Sequence, residues 1–309
     1  MRRGGCFKSG KWKDLWGKRR QGKVERLKIK KLRVGTEERL SLDVAISTYR
    51  PEGIKRVEKM LSPLSPQEGV KYIVSWQEHA NAPIPESLLS RDDVEIHRLD
   101  IKGLSNNRNN AMDHCHGDIV LIADDDLEYH RDFAKKIIES FEDDSALDLA
   151  TFKIDYLNKK IYPDSTYVLE CPFPKNYYVS SVEIAFRRKS LKGLHFWNKM
   201  GLGNSLLACG EDELFVISAI KKNFNCQFVN KEIGNHSEES TGDGISPGVL
   251  RGQGFIIRII YPFSFPIRVL LKSYRLHKKN KGGFLSNLKH LSKGAWISII
   301  SKIPSECYK

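Results

Sequence analysis

A continuous apolar run that ends in three aspartates, 119-IVLIADDD-126, is the feature that most restricts how this chain can fold. An apolar run without polar alternation is typical of a strand buried on both faces of a parallel sheet. Three adjacent carboxylates repel one another unless a cation or hydrogen-bond donors lie among them. Because side chains alternate along an extended strand end, we expect Asp124 and Asp126 on one side and Asp125 on the other.

The rest of the chain alternates between strand and helix patterns. Strands are predicted by apolar, often β-branched runs at 42–47, 70–76, 94–99, 149–156, 179–186 and 226–229. Helices are predicted by apolar periodicity or by capping residues over 54–61, 105–117 and 211–223. This order predicts an α/β fold with a Rossmann-like, mainly parallel central sheet flanked by helices. Ligands of such folds gather at the carboxyl ends of the strands, where the aspartates stand.

The aspartates match the chemistry of a divalent cation. Two carboxylates on one side of a strand end can hold Mg²⁺ or Mn²⁺, whose open positions are usually filled by substrate phosphates. A nucleoside diphosphate is therefore one expected ligand. The alternative is an acidic turn that caps a helix starting near Arg131.

Charge is distributed unevenly along the chain. Residues 1–40 hold 15 Lys and Arg against 4 Asp and Glu, and residues 251–309 hold 12 against 1. We therefore predict a basic N-terminal extension (1–40), an acidic middle domain (41–250) and a basic C-terminal region (251–309). Basic flanks favour a polyanionic partner, either nucleic acid or the anionic face of a membrane.

The C-terminal region has the pattern of a helix that lies in a membrane interface. From Pro266 onward, Ile267, Leu270, Leu271 and Tyr274 recur at helical spacing with cations between them. The alternative is that these residues complete the core of the preceding domain. The sequence shows neither a signal peptide nor a membrane span, and its six cysteines form no C-x-x-C pair. We therefore expect a cytoplasmic protein, peripheral at the cytoplasmic face of a membrane.

The segment 103-GLSNNRNNAMDHCHGDIVLIADDD-126 resembles the nucleotide-sugar-binding core of family-2 glycosyltransferases of the GT-A fold. It has a glycine, an Arg-Asn pair, a helix ending in Gly-Asp, an apolar strand and a D-x-D motif. The family's first strand is similar to VAISTYR here, and further pieces follow in its order: an apolar strand at 70–78, Gly-Glu-Asp at 210–212 and HSEES at 236–240. The combination is far more specific than any single piece.

The resemblance implies roles for particular residues. Donor binding falls to Thr48, Tyr49, Glu78, Arg108, Asp124 and Asp125. Among them, Thr48 and Tyr49 would lie against a uracil-type base, Arg108 would face the base or the diphosphate, and Asp124 would hold the ribose. The family's second strand usually ends in acidic residues, whereas 75-SWQEH-79 offers Gln77 and Glu78, which leaves the base specificity open.

The metal and the catalytic base are implied in the same way. Asp126 would ligate Mn²⁺ or Mg²⁺, with Asp124 and His236 close to the metal or the diphosphate. Asp212, next to Glu211, would be the general base that deprotonates the acceptor hydroxyl.

The predicted function is a hexosyltransferase-type enzyme of polysaccharide biosynthesis. It would move a sugar from a nucleotide-sugar donor, expected to be a UDP-sugar, to a glycan or lipid-linked acceptor. Inverting transfer is a single displacement and needs no enzyme nucleophile, whereas a hydrolase would have two carboxylates on either side of the bond, one of them acting as an acid.

Two other functions remain open from the sequence. A nucleic-acid-binding protein would use the basic flanks, but a helix-turn-helix signature, zinc-finger spacing and an RNA-binding aromatic motif are all missing from the sequence, so no nucleic-acid partner is predicted. A GT-A-fold nucleotidyltransferase would ordinarily have a Gly- and Lys-rich loop after the first strand, which 47-STYRPEG-53 matches poorly.

Overall fold

Four parallel strands connected by helices form the first half of the central sheet. The structure is a computed structural model that describes residues 39–156, 160–174, 177–236 and 245–303. In the sheet order β3-β2-β1-β4, the strands are β1 (Leu42–Tyr49), β2 (Val70–Gln77), β3 (Val94–Leu99) and β4 (Ile119–Asp124). The helices between them are α1 (Gly53–Leu61), α2 (Glu86–Leu89) and α3 (Leu104–Asp113). β1 and β4 are apolar and buried, as expected for strands covered by helices on both faces.

The second half of the sheet is mixed. β4 pairs antiparallel with β8 (Ile184–Arg187), and the order continues through β6 (Leu149–Tyr156), β9 (Cys226–His236) and β5 (Leu127–Tyr129). β7 (Tyr167–Val168) also pairs with β9, and the helices α4 (Phe133–Asp143) and α5 (Glu211–Lys221) complete this half. The predicted α/β class, with a mostly parallel central sheet flanked by helices, is confirmed.

A buried aspartate fixes the loop that leads into β4. Asp43 in β1 accepts hydrogen bonds from the backbone N–H groups of His116 and Gly117, at 2.6 and 2.7 Å. A Cβ on Gly117 would lie 2.8 Å from the Asp43 carboxylate, so only glycine fits this close approach. This contact ties the loop that leads into β4 to the start of β1.

Two predicted strands have different bounds in the structure. The segment 179–186 begins with a 3₁₀ turn at Ser181–Glu183, and only Ile184–Arg187 forms a strand. The reason is a capping box, in which the side chains of Ser180 and Glu183 each bond to the backbone of the other residue. The predicted strand at 226–229 continues to His236 because its second half pairs with β5 and β6.

Three helices follow the sheet: α6 (Pro247–Ile260), α7 (Phe265–Lys278) and α8 (Phe284–Ile300). Ser246 caps α6 by accepting a hydrogen bond from the backbone N–H of Val249, and Pro247 occupies its first turn. The predicted boundary between residues 250 and 251 therefore falls inside a single helix. Within the described ranges, no helix is long and apolar enough to cross a membrane.

Glycines allow α6 and α8 to cross closely. A Cβ on Gly254 would lie 2.0 Å from the carbonyl oxygen of Leu291, and one on Gly294 would lie 1.9 Å from that of Arg251. The backbones of the two helices are therefore in direct contact.

We expect Gly254→Ala to lower the free energy of unfolding by about 1–3 kcal/mol or more, because the new methyl group overlaps backbone that cannot move independently. Gly283→Ala is the matched control, since a Cβ there meets nothing within 4 Å and φ is −71°. Urea unfolding measures both. Equal stability of Gly254→Ala and the natural chain would contradict the close crossing of α6 and α8.

Candidate functional site

The carboxyl ends of β1 and β4 bring several predicted residues to one edge of the sheet. Ser47 in β1 is in register with Asp124, the last residue of β4, so Thr48 and Tyr49 lie beside the aspartates. This is the edge at which α/β folds bind ligands.

A buried arginine connects this edge to α5. Nη2 of Arg108 lies 3.2 and 3.3 Å from the carboxylate oxygens of Asp124, while Nη1 bonds to Asp212 at 2.9 Å and to Glu211 at 3.3 Å. The ring of Phe196 packs 5.5 Å from the guanidinium. Arg108 was expected to face the base or the diphosphate of the donor. In the structure its side chain is buried and bonds three carboxylates, because a buried guanidinium needs countercharge around it.

Burial changes the proton affinity of these groups. It raises the pKa of Glu211 to about 8, helped by the neighbouring charge of Asp212 and opposed by Arg108. It also raises the pKa of Asp212, against the stabilising effects of Arg108 and of the backbone N–H of Ser181. The pKa of Arg108 is raised as well: burial opposes its charge, but Asp124, Asp212 and Glu211 outweigh that effect. Perturbed carboxylates around one fixed cation are typical of a catalytic site.

The middle aspartate faces a different set of partners. Asp125 is buried, accepts a hydrogen bond from the Thr48 hydroxyl, and pairs with the guanidinium of Arg56 at 2.8 and 3.0 Å. Burial raises its pKa, and Arg56 and Thr48 oppose that shift. The Thr48 carbonyl in turn accepts a hydrogen bond from the Asn107 side chain at 2.8 Å. Asp125 thus holds α1 against β4, while its neighbour Asp124 contacts Arg108.

Asp126 lies next to His236. The Nε2 of His236 is 3.4 Å from a carboxylate oxygen of Asp126, and the ring of Tyr156 stacks on the imidazole at 5.5 Å. The pairing of Leu127 in β5 with His236 in β9 explains why residues so distant in sequence meet. The residues that follow His236 in the HSEES motif lie outside the described residues.

The donor set suits a divalent cation that shares its coordination with a ligand. No group of three or more His, Cys, Asp or Glu residues that could hold a metal ion by itself occurs in the part of the chain that the structure describes. One carboxylate and one imidazole stand together at Asp126 and His236, with Asp124 earlier on the same strand end. Such a set fits an ion whose remaining positions are taken by diphosphate oxygens and water.

The residues expected near the nucleotide base of the donor lie in a more exposed part of the site. Tyr49 is half exposed, with the guanidiniums of Arg50 and Arg56 at 5.1 and 5.5 Å from its ring. Glu78 has a φ of +49° and pairs with Lys102 at 2.6 Å. A cavity of about 510 Å³ is lined by Glu78, His79, Ala80, Asn81, Arg98, Asp100 and Lys102.

Gln77 is structural rather than open to a ligand. Its side-chain amide donates to the carbonyls of Ile101 and Gly103, which fixes the segment that leads into α3.

The sequence analysis missed a buried ion pair next to Asp212, the candidate general base. Lys160 and Glu183 are 2.5 Å apart and their side chains are fully buried, with the Tyr162 hydroxyl also donating to Glu183. Burial lowers the pKa of Lys160 and raises that of Glu183. The 3₁₀ turn that contains Glu183 also presents the backbone N–H of Ser181 to Asp212 at 2.9 Å. No motif marks this pair, since a lysine in a loop is ordinarily solvated.

Comparisons with known proteins concern the family and the fold. The family model "Glycosyl transferase family 2" matches residues 77–200, a range that contains the segment 103–126. The fold is similar to that of TarS residues 1–349 from S. aureus, with a TM-score of 0.53, 15% identity, and 84% of this chain and 91% of that chain covered. No curated protein matches the chain significantly.

Two further TarS structures from S. aureus are similar. The complex of residues 1–349 with UDP-GlcNAc has a TM-score of 0.53 at 13% identity and covers 84% of this chain and 91% of that one. The complex with UDP has a TM-score of 0.51 at 17% identity and covers 72% and 67%.

The fold and the carboxylate site, together with the family match, define a glycosyltransferase of the GT-A fold. Residues 77–200 of this chain are similar to glycosyl transferase family 2. The family resemblance found at 103–126 is confirmed, and the nucleic-acid-binding and nucleotidyltransferase alternatives are set aside.

We expect Lys160→Met to destabilise the protein by about 3–5 kcal/mol, because it leaves Glu183 buried without its countercharge. The double variant Lys160→Met/Glu183→Gln should lose less free energy of unfolding than Lys160→Met, since both buried charges are then gone. Urea unfolding measures the difference. Lys71→Met is the matched control: Lys71 pairs with Glu95 at 3.2 Å on the exposed surface, where such a pair contributes about 0–1 kcal/mol. A double variant less stable than Lys160→Met would contradict the ion pair as the source of the effect.

Proposed function

We propose that this protein is a metal-dependent, inverting hexosyltransferase that moves a sugar from a UDP-sugar to a glycan or lipid-linked acceptor. The acceptor is presented at the anionic cytoplasmic face of a membrane, where the protein is peripheral. The observation that carries the proposal is the Arg108 cluster, which joins Asp124 at the end of β4 to Asp212 at the start of α5. Asp124, the proposed donor-side carboxylate, and Asp212, the proposed base, thus pair with the same guanidinium.

The donor assignment is supported by the aspartates and by the comparisons. S. aureus TarS has been crystallised with UDP and with UDP-GlcNAc. Asp124 and Asp126 stand at the carboxyl end of β4, where a nucleoside diphosphate binds in α/β folds. Tyr49, half exposed beside two arginines, offers a flat surface on which the nucleotide base can stack. Glu78 borders the neighbouring cavity.

Asp126 and His236 would hold the metal, with Asp124 beside them. A bound Mn²⁺ or Mg²⁺ would supply positive charge that neutralises the leaving nucleoside diphosphate.

Asp212 is the proposed general base. One carboxylate oxygen is held by Arg108 and the other by the backbone N–H of Ser181, at 2.9 Å each, so the group has a fixed orientation. Its raised pKa makes it a stronger base than an exposed aspartate. A base of this kind removes the proton from the acceptor hydroxyl as the oxygen attacks the sugar. Each carboxylate oxygen keeps a free lone pair for that proton.

Calorimetric titration with UDP tests the donor site and the metal together. We expect UDP to bind in the presence of Mn²⁺, to bind at least tenfold more weakly without it, and to lose most of its affinity in Asp126→Ala, because the diphosphate charge is then uncompensated. Asp92→Ala, at an exposed aspartate, is the control. Binding that is indifferent to both Mn²⁺ and Asp126 would contradict metal-dependent binding of a UDP donor.

The role of Asp212 is tested with Asp212→Asn, which keeps the shape but not the basicity. We expect UDP release from a panel of UDP-sugars, with water as the acceptor, to fall about 10²–10⁴-fold. UDP affinity should change only a few-fold.

The natural enzyme should lose activity as the pH falls, because the base must be ionised. Since burial raises the pKa of Asp212, this acid limb should lie above the range of an ordinary aspartate. If Asp212→Asn keeps the natural turnover, or if it loses most of its UDP affinity, the assignment of Asp212 as the base is contradicted.

A further inference from the structure

The outward face of α7 is apolar. Ile267, Leu270, Leu271 and Tyr274 are all exposed, with Ile267 at 64%, whereas Val269 and Ser273 on the opposite side are buried. The exposed residues recur at positions i, i+3, i+4 and i+7 and therefore form one strip along the helix. A helix that packs on a domain normally turns such a strip inward. We call these four residues, with the preceding Phe263, the α7 strip.

Phe263 precedes the exposed residues of α7 in the chain. It lies in the turn between α6 and α7 and is 97% exposed, more than any other large hydrophobic residue that the structure describes. Apolar residues grouped in this way on a surface mark an interaction site rather than scattered exposure.

The charges around the strip restrict the partner. Residues 245–303 contain 11 Lys and Arg and no Asp or Glu. On α7 itself, Arg268 and Arg275 flank the strip and Lys278 follows it at the end of the helix. The partner must therefore offer both an apolar phase and negative charge. An anionic lipid bilayer offers both, because the apolar side chains enter the acyl boundary while the cations stay at the headgroups.

Other partners would match either the apolar residues or the cations of this surface, but not both. A second copy of the chain would bring the same cations against these cations. A nucleic acid would neutralise the cations through its phosphates but would leave the aliphatic side chains in water. The combination of the two features therefore favours a bilayer.

The C-terminal helices also contact the catalytic helix. Gly210, which precedes α5, has a φ of +99°, and a Cβ there would lie 2.7 Å from the side chain of Ile256 in α6. The residues that follow it are Glu211 and Asp212. The helix layer that carries the α7 strip is thus packed against the start of the helix that carries the proposed base.

We propose that the α7 strip docks the protein on the surface of an anionic bilayer, with α7 lying in the interface plane. This inference adds to the proposed function the surface by which the protein contacts the membrane. It rests on the proposed function only for the reason to dock, which is a membrane-held acceptor.

Sedimentation of the full chain with vesicles tests the docking. We expect binding to vesicles of equal parts phosphatidylglycerol and phosphatidylcholine, and little binding to phosphatidylcholine alone. Ile267→Ser should weaken binding about tenfold, because one aliphatic side chain no longer enters the bilayer. Leu89→Ser is the matched control, since Leu89 is 58% exposed on α2 and far from this region in sequence. Its binding should equal that of the natural chain.

A second pair of variants separates the apolar part from the charges. Arg268→Gln should weaken binding at low salt and have less effect at high salt, whereas the loss in Ile267→Ser should persist at high salt. Lys135→Gln on α4 is the control for a charge removed elsewhere.

Three results would overturn the proposal. If Ile267→Ser binds vesicles as well as the natural chain, the attraction is purely electrostatic and α7 does not dock. If Ile267→Ser instead abolishes a dimer seen by light scattering, a second copy covers the strip. If the natural chain prefers a DNA duplex to the vesicles, the surface serves nucleic acid. UDP calorimetry on the same variants separates this proposal from the donor site, because Ile267→Ser should bind UDP normally.

Discussion

The site is organised by one buried guanidinium. Arg108 is almost inaccessible to water, and a charge in such a position is tolerated only when countercharges and hydrogen bonds surround it. The carboxylates that meet this requirement come from the end of β4 and the start of α5, so the requirement itself brings two distant parts of the chain together. Asn107, next to it in α3, bonds to the end of β1 through Thr48. A single helix thereby fixes three parts of the candidate site.

The same logic explains why the C-terminal helices are part of the catalytic unit. The conformation of Gly210 allows the chain to enter α5 while Ile256 packs directly against it, and glycines at the α6–α8 crossing let those helices approach within backbone contact. Each of these contacts excludes a side chain, so none tolerates a larger residue without movement. The orientation of Asp212 thus depends on packing as well as on its hydrogen bonds.

The sequence predicted the elements near the site better than the contacts among them. The apolar run before Asp124 marked β4 because local periodicity and burial coincide there. The partners of Arg108 were not foreseen, since Asp212 is 104 residues away in the chain and only the fold joins them. Lys160 and Glu183 gave no signal for a similar reason. For α7, periodicity revealed an amphipathic helix but did not show which face points outward, because that depends on how the other helices cover it.

The charges around Arg108 affect Glu211 and Asp212, two adjacent acids, differently. One guanidinium faces Asp124, Glu211 and Asp212, so full ionisation of all three would leave excess negative charge in a buried place. Glu211 lies farther from Nη1 than Asp212, at 3.3 rather than 2.9 Å, and its pKa is raised to about 8 by burial and by the charge of Asp212. A raised pKa favours the protonated form of Glu211, and a proton there relieves the excess. Asp212, with a guanidinium on one oxygen and a backbone N–H on the other, is the acid whose anion is better supported. The environment thus favours a proton on Glu211 and supports the anion of Asp212, the proposed general base.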